Sequence, residues 1–429
     1  MRRALVFACI TGLSAATWLG ACGERAAEPE PSRATNAALP AAREGAKEPA
    51  PEPAQEGTPS DLRGPSADAG SDASKAAPST PRAVQVTRKP RACVMAEQRV
   101  LRAGAARGVR ERGALLVISD AEPKLELWRA QPGQELRPSA ELELSSPARR
   151  AALLSAGKQV YVAWVDERAQ LWLSVVEQQF SAPRRLAEGI DRRFTPALAR
   201  NHQQLLLAFT RSVGEAMHVH LARVEGERST VEDVTPEGHG ASAPTFIVGA
   251  QPPALVVVDA HAGVSPLLEL PFDGTGKLAP AVVRTPVSQP YAPPALAAMQ
   301  LSKDRTVVAY TAIGRAAATA IGLVPLRAAE APVALVPSYG YGELALGAAQ
   351  QSGVSVFAVE AFRVDGKDSP RKVVVSVVDA AGAGEPLALG LDDASASSPS
   401  VAPGERAGEF ELVYTTPKGL RSAALLCSP

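Results

Sequence analysis

One pattern constrains this chain more than any other: a short strand-like run of aliphatic, small and aromatic residues returns seven times. The runs are Leu115 to Ile118, Val160 to Trp164, Leu205 to Phe209, Leu255 to Val258, Thr306 to Tyr310, Val354 to Ala358 and Glu411 to Tyr414. Measured at Ile118, Trp164, Phe209, Val258, Tyr310, Phe357 and Tyr414, they lie 46, 45, 49, 52, 47 and 57 positions apart. Four are preceded by a proline and an apolar pair, beginning at Pro196, Pro244, Pro294 and Pro399; the following run ends 13, 14, 16 and 15 positions on. A period of roughly 40–50 residues with several strands per unit is the mark of a β-propeller, one blade per repeat. No long helical periodicity competes. The spacing predicts an all-β, seven-bladed β-propeller, with six or eight blades still compatible. Two β-sandwiches are the rival, and they would not explain one period running throughout.

The fold makes a specific demand on the repeated run. A strand sandwiched between neighbouring blades must be apolar on both faces, and these runs are. Trp164, Phe209, Tyr310, Phe357 and Tyr414 share one repeat position, so they are expected in the packing between blades. A second strand follows several runs, as in Leu171 to Val176 and Val219 to Val224. Asp273-Gly274 and Asp365-Gly366 offer hairpin turn chemistry where blade loops should fall.

The chain begins differently. Met1, Arg2 and Arg3 supply positive charge, Ala4 to Leu19 is nearly uncharged and largely apolar, and Leu19-Gly20-Ala21-Cys22 closes it. A charged start, a short apolar stretch and small residues before the cut are the anatomy of a secretory signal. The run is shorter than the roughly 20 apolar residues of a transmembrane helix. With its cysteine, the segment resembles the lipobox of bacterial lipoproteins. That resemblance implies cleavage of residues 1–21, lipidation of Cys22 and membrane attachment through acyl chains. Gly23, in place of the aspartate that retains such proteins at the inner membrane, implies the outer membrane.

Residues 22–90 are rich in Pro, Ala, Glu, Ser and Gly, as in Glu48-Pro49-Ala50-Pro51-Glu52-Pro53. With almost no large apolar side chains, this stretch cannot offset its ordering entropy and reads as a disordered tether. As a flexible coil it would span on the order of 45 Å, and as an extended polyproline helix about 200 Å. The repeat domain then occupies 91–429.

Cys93 and Cys427 lie at the two ends of that domain. Export implies an oxidising compartment, where two remaining cysteines are expected to bond. Both sit in apolar, strand-like segments, so a Cys93–Cys427 disulfide would lock the seam of the ring.

Catalytic signals are poor. The period resembles sialidase-type propellers in layout, yet the Asp-box of that family is in no repeat; Asp166 and Asp259 stand isolated. No nucleophile-elbow, zincin, P-loop or dinucleotide fingerprint occurs. Arginine far outnumbers lysine everywhere, so counting singles out no arginine triad. The most pointed constellation is histidine: His218 and His220 two apart on a strand, then Asp259 and His261 at the equivalent edge of the next repeat. Alternate strand residues share a face, so the four could gather a divalent ion. Solvent-facing strand histidines are the plainer explanation. Net charge is zero, from 45 basic and 45 acidic residues, which gives no basic face for nucleic acid. The expectation is a monomeric, lipid-anchored envelope protein without cofactor, whose ring binds an envelope protein or a glycan and performs no catalysis. A propeller hydrolase or lyase on glycans is the alternative, and a metal-binding sensor the second.

Overall fold

The computed structural model describes residues 92–427 apart from 131–134, 260–264, 274, 288–294, 304, 314–318, 327–332, 340–345, 362–371, 380–381, 384–386 and 389–394. Cys22, the tether, His261 and the Asp365-Gly366 turn lie outside the described residues. Those described are all β, with no helix among them.

The strands run as successive four-stranded antiparallel meanders, each in chain order. The first comprises Ala106–Glu111, Ala114–Ser119, Lys124–Arg129 and Arg137–Glu143. The second comprises Ala148–Ala156, Gln159–Asp166, Gln170–Val176 and Arg184–Glu188, and the third Ala197–Asn201, Gln204–Val213, Ala216–Glu225 and Arg228–Asp233. Hydrogen bonding groups the described strands into six sheets, where seven separate blades were expected. The difference has a local cause. Ala241–Val248, which starts the fourth meander, pairs in parallel with Leu296–Ser302, which starts the fifth. Only Ile247↔Ala298 and Val248↔Met299 are in register, but they merge two meanders into one eight-stranded sheet.

Packing follows the period-2 alternation of the middle strands. In Gln159–Asp166, Val162 and Trp164 face the cluster shared with the first meander, while Ala163 and Val165 face that shared with the third. In Gln204–Val213, Leu205, Leu207 and Phe209 turn one way and Leu206 and Ala208 the other. This is why a run such as Val160 to Trp164 is apolar at every position. The five repeat aromatics, Trp164, Phe209, Tyr310, Phe357 and Tyr414, are all buried. Each large side chain so removed from water contributes about 1.5–3 kcal/mol.

Arginines tie neighbours together at the rim. Arg129 donates to the carbonyls of Val176 and Glu177 at 2.8 and 2.6 Å. Arg184 reaches Gly226 and Glu227, and Arg223 reaches Gly276 at 2.7 Å. In each case a guanidinium caps an outer turn of the next meander. Part of the arginine surplus is therefore structural.

The ring is closed by strand exchange between the chain ends. Cys93–Ala103 is the outer strand of a sheet otherwise built from Ser397–Pro403, Glu409–Thr416 and Gly419–Cys427. Its register runs from Cys93↔Cys427 to Ala103↔Gly419. The expected disulfide joins the first of those pairs. Across the seam to the first meander, Val413 and Leu420 pack on Ala106, Leu115 and Val117, and Thr415 Oγ1 donates to the Ala106 carbonyl at 2.9 Å.

Candidate anion-binding site

The strands that begin the first three meanders bring basic side chains to one end of the ring. Arg107 lies at the start of Ala106–Glu111, and Arg149 and Arg150 at the start of Ala148–Ala156. Arg192 and Arg193 occupy the loop leading into Ala197–Asn201. Together with Asp191 they line an open depression of about 530 Å³. Register places this end opposite Cys93: the closing strand runs from Cys93 to Ala103, and Arg107 follows at the Ala103 end.

The loop is shaped by its own sequence. Ile190 and Phe194 are buried on either side of it. Asp191 Oδ1 accepts from the Arg193 backbone N–H at 3.0 Å and from Arg193 Nε at 2.9 Å, and the Asp191 N–H donates to the Thr210 carbonyl at 2.9 Å. The Arg193 guanidinium also lies over the Phe194 ring. Burial opposes ionisation of Asp191, but the Arg193 side chain and backbone and the Ser212 hydroxyl outweigh it, holding the carboxyl below its usual range.

Arg107 acts as a strut. It donates to Asp120 Oδ1 at 2.9 Å and to the carbonyls of Arg149 and Ala148 at 2.8 and 3.1 Å. Arg149 pairs with Glu167, whose backbone carbonyl accepts from Arg192 at 3.0 Å. Five guanidiniums thus share this end with three carboxylates, Asp120, Asp191 and Glu167. A cluster of guanidiniums, with many N–H donors, suits carboxylate, phosphate or sulfate groups.

Of the four residues read as possible metal ligands, His261 lies outside the described residues; His218, His220 and Asp259 are placed as follows. His218 Nδ1 lies 2.7 Å from Asp233 Oδ2, and His239 Nδ1 lies 2.6 Å from Asp259 Oδ2. His220 stacks on Phe209 with centroids 5.7 Å apart, and its Nε2 has no hydrogen-bond partner. Burial lowers the pKa of His220, with Asp233 opposing that shift. Among the described residues no group of three or more His, Cys, Asp or Glu side chains is placed to hold a metal. Asp166 is an internal turn former: its carboxylate accepts from the N–H groups of Arg168 and Gln170 and from the Trp172 indole.

Sequence reasoning passed over the arginine depression, although a signal was present. Arg150 follows Arg107 by 43 positions, and Arg193 follows Arg150 by 43.

No family model and no curated protein matches this chain. Solved structures do match. The chain is similar to the BP39L lectin from Burkholderia pseudomallei at 17% identity, covering 76% of this chain and 96% of that one, with a TM-score of 0.55. The Aleuria aurantia lectin matches at 8% identity over 65% and 93% of the two chains, with a TM-score of 0.40. A GH43 endo-arabinanase from Bacillus licheniformis matches at 10% identity over 55% and 95%, with a TM-score of 0.34. The first of these shows the fold: the described domain is a β-propeller.

Proposed function

We propose that the protein is a non-catalytic recognition module of the cell envelope, whose arginine-lined depression receives an anionic ligand. The observation that carries this is the convergence of Arg149, Arg150, Arg192 and Arg193 around the strut of Arg107. One exposed ion pair contributes about 0–1 kcal/mol and is screened by salt. Useful affinity therefore requires several contacts at once, which this cluster supplies. A glycan hydrolase is the alternative on such a ring. Hydrolysis of that kind needs two carboxyl groups flanking the bond, whereas Asp191 is the single carboxylate among the lining residues and is engaged by Arg193.

In this reading the protein is monomeric, without cofactor or nucleic-acid partner, and is moored by lipidated Cys22, by resemblance at the outer membrane.

The test is titration of the purified full chain, in detergent, with labelled dextran sulfate and with inorganic phosphate at rising salt. Salt-sensitive binding that falls in Arg149→Gln/Arg192→Gln supports the proposal. No binding of either anion at low salt would sink it. For the mooring, Cys22→Ser should release a folded protein from the membrane fraction; retention would overturn it.

A further inference from the structure

The layout of the depression specifies more than a negative charge. Its basic groups come from three successive meanders, from the start of the first strand or the loop leading into it, with one or two guanidiniums per unit. A small anion would satisfy one step of this series. A chain carrying an anionic group on each residue would satisfy all three.

Two details narrow the kind of chain. The lining residues are arginines and one aspartate, with no aromatic ring among them, so neither nucleic-acid bases nor neutral sugar faces find a stacking platform here. Peptides gain much of their affinity from main-chain hydrogen bonds. At this rim the carbonyls of Ala148, Arg149 and Glu167 already accept from Arg107 and Arg192. What the lining presents is side-chain charge along an arc. Resting on the anionic-ligand reading above, we infer that the site takes a linear acidic polysaccharide, one carboxylate per sugar, laid across the first three meanders. Arg149, Arg150, Arg192 and Arg193 contact its carboxylates, Arg107 holds the floor, and Glu167 tempers the charge.

The experiment is calorimetric titration of the purified full chain, in detergent, with galacturonate monomer and with a galacturonate octamer. Multivalent contact should make the octamer bind about 100-fold tighter than the monomer. Arg149→Gln/Arg192→Gln should weaken the octamer about tenfold or more, with single Arg192→Gln in between. Glu167→Gln, which removes a negative charge from the site, should tighten it about threefold. Unchanged melting temperatures exclude misfolding as the cause. An octamer advantage of only about eightfold, the statistical value for independent monomers, would overturn the extended-chain inference while leaving anion binding intact. The same holds if polyglutamate or a single-stranded oligonucleotide of equal charge binds tighter than the octamer. If dextran sulfate, phosphate, monomer and octamer all fail to bind, both this inference and the reading beneath it fall; binding of dextran sulfate without the octamer overturns this inference alone.

Discussion

Arg110 and Glu411, 301 positions apart in sequence, form an ion pair across the ring seam, with Arg110 Nε donating to Glu411 Oε2 at 2.7 Å. The guanidinium is almost wholly enclosed, its side chain 2% exposed, against 35% for the carboxylate. Beside it the Arg110 backbone N–H donates to Ser400 Oγ at 2.8 Å. The first and last meanders are therefore joined by polar contacts as well as by the apolar cluster around Val413.

Removing one partner of a buried pair leaves the other charged and unsatisfied, at a cost of about 3–5 kcal/mol. Because Glu411 is partly exposed, water can reach the site, so Glu411→Ala should cost about 2–3 kcal/mol. Urea denaturation followed by circular dichroism measures this. A loss below about 0.5 kcal/mol would reduce the pair to a surface contact.

The Cys93–Cys427 bond closes a loop with a sequence separation of 334. Chain entropy alone gives roughly 5–6 kcal/mol for such a loop, and observed effects run at about 2–5 kcal/mol. Cys93→Ser/Cys427→Ser should lower stability within that range and open the strand Cys93–Ala103 to limited proteolysis. Cleavage starting elsewhere in the domain would show that the seam is not its weakest point.

A methyl group at Gly347 would lie 2.8 Å from the Pro399 carbonyl and 2.9 Å from the Ser400 Cα. Backbone cannot retreat as a flexible side chain can, so Gly347→Ala should cost about 1–3 kcal/mol through overpacking between its own strand, Leu346–Gln351, and Ser397–Pro403. Thermal unfolding at matched concentration reads this directly. An unchanged melting temperature would mean that the inner strands are less tightly spaced than described.

Stability should fall on the acid side in two steps. His220 is held neutral by burial, its pKa below the ordinary 6.5. The unfolded chain therefore takes up that proton first, and stability declines as pH drops below about 6.5, levelling once the folded form is protonated too. Asp191 and Asp233 have carboxyls held below 3.8 by hydrogen bonds that outweigh their burial. Their stabilising contribution is complete above that value and lost as pH falls through the depressed folded pKa. In melting temperature against pH, His220→Phe should flatten the upper step and Asp191→Asn part of the lower. Unchanged profiles would assign the acid limb to other groups.

Much of the ring was legible because its core obeys a local rule. Runs such as Val160 to Trp164 are apolar at every position, and only a strand packed on both faces needs that. The seam disulfide was legible for a similar reason, since two cysteines in strand-like segments bounded the repeats. Other features depend on distances that sequence does not carry. The merging of the fourth and fifth meanders rests on two residue pairs at the end of Ala241–Val248, where the hydrophobic pattern is unchanged. His218 found its carboxylate on the next strand of its own meander, at Asp233, not on the neighbouring repeat. The arginine depression was hidden by abundance: Arg129, Arg184 and Arg223 are equally conspicuous in sequence and serve as rim clamps.

The placement of the disulfide also decides how this domain responds to being pulled. Were the domain pulled from the residues before Cys93, tension would meet Cys93, the first residue of an edge strand. Without the bond, that strand would peel from its neighbour one pair at a time, each bearing the whole force in turn. With it, the force passes at once into Gly419–Cys427, which is paired on both sides. A ring fastened at this point would share a tug between two strand pairings at once, where an unbonded edge strand would bear it alone.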